Sequence, residues 1–252
     1  MNLLYFFKPK QNWKLPDIFN DYLLNKSIAF YSSLEVLDFF DKLLINNEII
    51  TVEDFGAGSK KGNKKDRKIS DIAKYSSTNY ENGIFFQKLI DHFNIKNILE
   101  LGTSLGIGSL YMALASKTVQ ITTIEASKNI LNFTKNKFKN LGIKNINFLE
   151  SDFDTFFDEN FLINPKFDLF YIDGNHKFNS TLKYFDYIQK YFAEKKTIII
   201  LDDINWSCGM YKAWKTIVKS QKDAFMLNLF QLGIVFRGYD LPKGEFIVTF
   251  TD

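Results

Sequence analysis

Apolar and polar positions follow a regular pattern from residue 80 onward, where short apolar runs alternate with longer stretches whose apolar residues recur every three or four positions. The short runs predict buried strands, and the longer stretches predict amphipathic helices. The predicted strands cover residues 97–101, 120–124, 145–149, 167–172 and 197–201. The predicted helices cover residues 80–93 and begin near Gly106, Ser127, Phe178 and Gly209.

The end of the chain has three apolar segments without a helix between them. Residues 224–230 and 233–237 predict a pair of strands, and residues 245–250 predict a last strand. Together with the alternating strands and helices before them, these segments predict an α/β fold. We expect a Rossmann-like open sheet, mostly parallel, with antiparallel C-terminal strands.

The first part of the chain has a different character. Residues 15–50 carry apolar residues at mixed three- and four-residue spacing, which predicts amphipathic helices. Residues 59–68 contain six basic residues, one acidic residue and no apolar side chain, which predicts an exposed loop. We therefore expect residues 1–79 to form a helical extension with a basic loop, acting as a cap, and residues 80–252 to form the α/β domain.

Composition narrows the class of protein. With 252 residues, 46% of them apolar, the chain can bury a sizeable core. The single cysteine, Cys208, excludes an internal disulfide, and only His92 and His176 add soft ligands, too few for a structural zinc site. A net charge of +3 does not by itself imply a nucleic-acid partner. The first apolar stretch, residues 3–7, is too short for a membrane span. These observations predict a cytoplasmic protein.

A glycine-rich turn follows the strand at residues 97–101. Its glycines, Gly102, Gly106 and Gly108, precede a helical stretch, and such a turn lets a ligand approach the backbone at a helix N-terminus. A side chain at Gly106 is accordingly expected to block the ligand. The spacing Gly-x-x-x-Gly-x-Gly differs from the nicotinamide fingerprint and from the P-loop. Residues 102–106 also fit a nucleophile elbow, but a hydrolase needs a later histidine than His176.

A second glycine loop, at residues 54–59, is followed by basic residues and not by an apolar helix. It lacks the strand–turn–helix context that a ligand-binding turn requires. We interpret it as a loop without a ligand.

With these residues the chain resembles the class I S-adenosylmethionine-dependent methyltransferases, from about residue 80 to the C-terminus. Glu100 to Gly108 match their first motif, Glu125 ends the second strand, Asp152 and Phe153 follow the third, and Asp173 follows the fourth. The resemblance implies a seven-stranded sheet and S-adenosylmethionine as cofactor, with Glu125 on the ribose hydroxyls and Asp152 on the adenine amine. The implied cofactor-binding residues are Glu100, Gly102, Thr103, Ser104, Gly106, Ile107, Gly108, Glu125, Ala126, Asp152, Phe153 and Asp173. Each acidic residue alone could equally be a solvated strand end or a helix cap.

Residues 171–176 (YIDGNH) and 201–206 (LDDINW) resemble the small-molecule O-methyltransferase-like subgroup. In its metal-dependent members, acids at the positions of Asp173, Asp202 and Asp203 bind magnesium, a cation that prefers oxygen ligands. The alternative is that one aspartate of the pair caps a helix and the other pairs with a lysine. Some sugar-modifying relatives place a carboxylate base where this chain has Asn175, which leaves Asp173 and His176 as the candidate catalytic residues. His176 could also be a structural residue.

The resulting function prediction is O-methylation of a small-molecule acceptor, without a membrane or nucleic-acid partner; the oligomeric state is not predicted. One alternative is an RNA-modifying methyltransferase that grips phosphates with residues 59–68 and stacks bases on Tyr75 and Tyr80. Another is a non-catalytic scaffold. The presence of the full set of strand-end acids weighs against a scaffold.

Overall fold

The computed structural model describes residues 3–6, 16–20, 33–52, 65–160 and 165–250. The strands are β1 (Leu3–Phe6), β2 (Ile49–Thr51), β3 (Asp66–Lys68), β4 (Asn97–Leu101), β5 (Gln120–Glu125), β6 (Ile146–Glu150), β7 (Phe167–Ile172), β8 (Ala193–Leu201), β9 (Phe225–Asn228), β10 (Gly233–Arg237) and β11 (Gly244–Phe250). The helices are α1 (Ser33–Leu44), α2 (Ile69–Tyr75), α3 (Tyr80–His92), α4 (Ile107–Ala115), α5 (Lys128–Asn140), α6 (Phe153–Asn160), α7 (Phe178–Tyr187) and α8 (Cys208–Ser220). A π-helical turn, Ile188–Phe192, extends α7.

Within the described residues, nine strands form the main sheet in the order β1-β11-β9-β10-β8-β7-β4-β5-β6. Strands β4 to β8 pair in parallel, whereas β10 is antiparallel to both of its neighbours, β8 and β9. The chain continues from β4 through β5 to β6 on one side and then returns to β7 and β8 on the other, so the strand order reverses next to β4. Ligands of open α/β sheets bind at this switch point, outside the carboxyl ends of the strands. The predicted fold class is confirmed.

Helices cover both faces of the sheet because successive strand residues point to opposite sides. On β4, Ile98 packs in the cluster that contains Phe86 of α3, whereas its neighbour Leu99 packs in the cluster that contains Phe157 of α6 and Trp214 of α8. Apolar residues predominate in the middle of the parallel strands, as expected for a parallel sheet that is buried on both faces. None of the helices in the described part combines the length and the apolar character that crossing a membrane requires.

The N-terminal part differs from the prediction in two places. Helix α1 confirms a helix within residues 15–50, but Ile50 lies in strand β2, and Asp66–Lys68, predicted as loop, form the partner strand β3. The pairing holds because the Val52 amide donates to the Lys65 carbonyl (2.7 Å) while Ile50 is buried. Residues 59–64 and the second glycine loop lie outside the described residues. The division of the chain at residue 80 stays a prediction, and β1 adds an edge strand beside β11.

Gly83→Ala should destabilise the protein, although alanine is normally the better helix former. A Cβ atom at Gly83 of α3 would lie 2.3 Å from the buried ring of Tyr111 in α4. Overpacking of this kind costs about 1 to 3 kcal/mol, which urea unfolding would measure. The matched control is Gly209→Ala in α8, whose Cβ would have no neighbour closer than 3.6 Å. Equal stability of the two variants would contradict this packing.

Candidate functional site

The glycine turn connects β4 to α4 at the carboxyl edge of the sheet. Gly102 has φ +106°, and a Cβ there would lie 2.0 Å from the Asp173 carbonyl oxygen. Gly106 has φ +81°, and its Cβ would lie 2.7 Å from the ring of Phe138 and 2.8 Å from Thr134. Glycine at 106 is therefore needed for packing against α5. The sequence predicts that a side chain at residue 106 would meet the ligand, whereas in the structure its Cβ atom would collide with α5.

The other residues of this motif lie at different depths. The Thr103 hydroxyl points inward, 2.6 Å from the hydroxyl of Thr123. Ser104 is half-buried with φ +47° and presents its amide to Glu125. Ile107 and Gly108, the first residues of α4, are buried. Any contact of these residues with a cofactor stays a prediction.

Glu125 joins the two turns that follow β4 and β5. One carboxylate oxygen accepts a hydrogen bond from the Ser104 amide (3.0 Å), and the other accepts from the Ser127 amide (2.9 Å). Half-buried Ala126 lies between these contacts along the chain. Because each carboxylate oxygen can accept more than one donor, the group remains able to take the two hydroxyls of a ribose.

Asp152 caps α6. Its carboxylate accepts from the Thr155 hydroxyl (2.6 Å) and from the Thr155 amide (2.9 Å), and these bonds lower its pKa below the usual value of 3.8. This is the helix-cap alternative named above, and the adenine contact stays a prediction. The ring of Phe153 lies edge-on to Tyr184 and would touch a side chain at Gly174, so it stands beside Asp173 at the edge of the site.

Glu100 lies beneath the glycine turn and is only 1% exposed. The hydroxyls of Ser109 and Thr123 both donate to its Oε2 atom, the latter at 2.6 Å. Burial raises the pKa of this carboxyl from 4.5 to about 7, and the hydroxyl donors offset only part of that rise. Glu100 is thus part of the floor of the site.

Glu100→Gln should flatten the pH dependence of stability. Between pH 4.5 and 7 the folded state keeps a proton on Glu100 that the unfolded state releases, so wild-type stability falls as pH rises through this window. The slope from one such group is at most about 1.4 kcal/mol per pH unit. Urea unfolding at pH 5 and at pH 7 measures the difference between the variant and the wild type. The exposed Glu150→Gln serves as control, and a Glu100→Gln profile that coincides with the wild type would refute the buried proton.

Two carboxyl groups and a phenol meet where β7 and β8 end. The Tyr171 hydroxyl lies 2.8 Å from Asp202 Oδ2 and 3.2 Å from Asp173 Oδ2. Burial, together with the neighbouring carboxylates, raises the pKa of Asp173 to about 7 and that of Asp202 to about 8. The Asp173 side chain is 28% exposed, so solvent screens part of this effect there. The one phenolic hydrogen serves one carboxyl at a time, and the other can hold its own proton at neutral pH.

His176 lies beside this group. Its Nε2 atom is 3.7 Å from Asp173 Oδ1 and 4.0 Å from Asp203 Oδ2, and its ring centroid is 5.8 Å from that of Trp206. The neighbouring Asn175 has φ +49° and donates to the Tyr184 hydroxyl (2.8 Å). The loops after β7 and β8 therefore bring together the candidate catalytic residues that the sequence predicts.

The predicted magnesium ligands, Asp173, Asp202 and Asp203, converge at this edge but do not form a ready ligand set. Asp202 is only 6% exposed, and its two oxygens hold the Tyr171 hydroxyl and the Asp203 amide (2.7 Å). Among the described residues, no group of three His, Cys, Asp or Glu side chains could hold a metal ion. In this arrangement the three carboxylates do not fit a shared ion.

Sequence reasoning missed two residues of the site, Tyr171 and Thr78. Thr78 precedes α3, and its hydroxyl hydrogen-bonds to the Tyr171 hydroxyl and would lie 2.8 Å from a side chain at Gly108. The signal for Tyr171 was a phenolic hydroxyl in the apolar second half of its strand, residues 169–172. Thr78 carried no signal, because only the packing of α3 beside the turn brings it here.

Residues 99–204 match the family described as a methyltransferase domain. A ribosomal RNA small subunit methyltransferase A from Malacoplasma penetrans is 36% identical over 73 residues, 28% of this chain. The match spans about a quarter (26%) of that relative's length.

Solved structures show the same fold. An O-methyltransferase from Bacillus cereus in complex with SAH superposes with a TM-score of 0.56 at 17% identity, over 88% of this chain and 96% of that one. A SAH-bound methyltransferase from Podospora anserina gives 0.61 at 16% identity, over 91% of this chain and 100% of that one. The resemblance to class I S-adenosylmethionine-dependent methyltransferases is thus confirmed. The chain has their fold, and residues 99–204 are similar to the methyltransferase domain family.

Proposed function

We propose that this protein uses S-adenosylmethionine to methylate a hydroxyl group of a small molecule. The observation that carries the proposal is the position of His176 between Asp173 and Asp203, at the carboxyl edge of a methyltransferase domain and beside its glycine turn. The Bacillus cereus and Podospora anserina proteins, both methyltransferases with SAH bound, support the choice of cofactor.

The cofactor would lie along the turns that follow β4 and β5. Glu125 would accept the ribose hydroxyls while its bonds to the Ser104 and Ser127 amides fix its orientation. Phe153 would contact the adenine ring, and Asp152, although it caps α6, would accept from the adenine amine. Asp173, at the end of β7, would then lie on the side of the reacting methyl group.

Methyl transfer is an in-line displacement. An acceptor oxygen attacks the methyl carbon, the bond between carbon and sulfur breaks, and its electron pair stays on sulfur. The proton of the acceptor hydroxyl passes to the His176 imidazole, a group suited to accept one at neutral pH. Asp173 and Asp203 lie within 4.0 Å of His176 Nε2, so the ring is held between the ends of β7 and β8. Alignment of the acceptor oxygen with the methyl group supplies much of the remaining rate enhancement.

The acceptor would be recognised partly by residues 1–79, as a cap. Helices α1 and α2 pack with α4, the helix that follows the glycine turn, in one apolar cluster. They are thus anchored to the cofactor side of the sheet, where an acceptor-binding cap is needed. A cytoplasmic location is part of the same proposal.

The deciding experiment uses S-adenosylmethionine with a deuterated methyl group and a panel of hydroxylated small molecules. Mass spectrometry should find the labelled methyl group on at least one acceptor, with an equal amount of S-adenosylhomocysteine formed. Cofactor consumption without a labelled product would contradict the proposal. A parallel assay in EDTA tests the magnesium prediction, because transfer that stops in EDTA and returns with Mg²⁺ would require the carboxylates to rearrange around an ion.

The match to a ribosomal RNA methyltransferase favours a second candidate, methylation of RNA. It is the weaker candidate because the match covers 28% of this chain. Of the predicted basic loop, Lys65, Arg67 and Lys68 lie in the described part, at or next to β3. Adding purified ribosomal RNA to the same assay distinguishes the two, since label recovered in RNA and in no small molecule would replace the first proposal with the second.

A further inference from the structure

The turn between β9 and β10, residues 229–232, lies at the carboxyl edge of the sheet. Both β8 and β9 are antiparallel to β10, so β8 and β9 run in the same direction and end at the same edge. The turn therefore lies beside the loop that follows β8, which carries Asp202, Asp203 and Trp206.

Hydrogen bonds hold this turn from two sides. From the β8 side, the Asn205 side-chain amide donates to the Phe230 carbonyl (2.5 Å). From the start of α3, the side-chain amides of Asn79 and Asn82 donate to Gln231 Oε1, at 3.2 and 3.4 Å. These bonds fix the position of the turn relative to the site. The conformation of residues 229–232 therefore depends on α3 and on the loop after β8 as well as on the turn's own sequence.

Phe230 is an unusual residue at this place. Its side chain is 72% exposed, and its backbone has φ +68°, a left-handed conformation that suits Gly or Asn and is rare for a bulky residue. Its amide donates to Asn228 Oδ1 (3.0 Å), which helps to hold the strained conformation. Strain of this kind persists where the surroundings enforce it and concentrates at binding and catalytic sites.

We propose that Phe230 determines acceptor specificity, its phenyl ring contacting an apolar face of the acceptor whose hydroxyl lies at His176. This inference rests on the proposed function. Asn205, which holds the Phe230 backbone, is next to Trp206, whose ring neighbours that of His176. The carboxylates around His176 disfavour an anion. The acceptor class is therefore a hydroxylated molecule with an apolar face and without a negative charge.

Benzyl alcohol, which has both features, serves as the probe in saturation-transfer NMR with the whole protein, with and without S-adenosylhomocysteine. Wild type should bind it, and Phe230→Asn should weaken binding by about fivefold, the loss expected for one aromatic contact. Because Asn suits a left-handed backbone, the melting temperature should not fall. Phe230→Tyr keeps the ring and should retain the affinity. Glycerol, which lacks an apolar face, should give the same weak signal with every variant.

Ile45→Asn is the matched control, since Ile45 is 78% exposed and follows α1 near the far end of α5, away from the carboxyl edge. Unchanged probe affinity in Phe230→Asn would overturn the proposal, as would an equal loss in Ile45→Asn or a wild type that does not bind the probe. A lower melting temperature with unchanged affinity would show a structural role instead. A separate titration with S-adenosylhomocysteine tests the proposed function. Binding of benzyl alcohol is also measured without S-adenosylhomocysteine, so the two proposals can fail independently.

Discussion

His176→Ala is expected to lower kcat for methyl transfer by roughly 100-fold or more, the lower range for loss of a general base. The imidazole lies within 4.0 Å of Asp173 and Asp203 and is the group proposed to take the acceptor proton. The affinity for S-adenosylhomocysteine should stay nearly unchanged, because the residues proposed to hold its ribose and adenine, Glu125, Asp152 and Phe153, lie at the ends of β5 and β6. Single-turnover assays with the acceptor identified by mass spectrometry measure the first quantity, and calorimetry measures the second.

The matched control is His92→Ala. His92 is exposed and is the last residue of α3, at the opposite end of that helix from Asn79. Its kcat should equal that of the wild type. If His176→Ala also retained full activity, the proton would have to leave by another route, and the role of His176 would be structural.

Glu125→Ala is expected to weaken S-adenosylhomocysteine binding by on the order of 1.5 to 3 kcal/mol, the range for hydrogen bonds to a charged group. The variant removes the acceptor proposed for the ribose hydroxyls. It also frees the Ser104 and Ser127 amides that the carboxylate holds, so both turns lose an anchor. Isothermal titration calorimetry gives the difference in binding free energy directly.

Glu150→Ala provides the comparison for this variant. Glu150 is the register partner of Glu125 on β6 and is exposed, so the two variants remove the same charge at neighbouring strand ends. Glu150→Ala should bind S-adenosylhomocysteine as the wild type does. Equal affinity of both variants would remove the ribose contact from the account.

The strands of the sheet could be predicted from the sequence because buried parallel strands are continuous apolar runs between turn residues. Strand β3, Asp66–Lys68, could not, because its three residues are all charged and it forms only by pairing with β2. Strand β1 was likewise missed, since four apolar residues at the start of a chain show no partner until β11 is placed beside them. In both cases a pairing distant in sequence decided the conformation.

The candidate site was predictable to the extent that it depends on strand ends. His176, Asp173 and Asp203 come together because parallel strands end at one edge, and their order in the sequence sufficed. Depth and hydrogen bonding were not predictable. The burial of Glu100 under the turn depends on Ser109 and Thr123, which follow from three-dimensional packing and not from the motif.

The most direct test of the central claim is calorimetric titration of the purified protein with S-adenosylhomocysteine and, separately, with NAD. A ligand stabilises only the state that binds it, so a thermal-shift measurement provides an independent check. The account predicts saturable binding of S-adenosylhomocysteine at one site, a raised melting temperature and no response to NAD. Binding of NAD with no response to S-adenosylhomocysteine would contradict it.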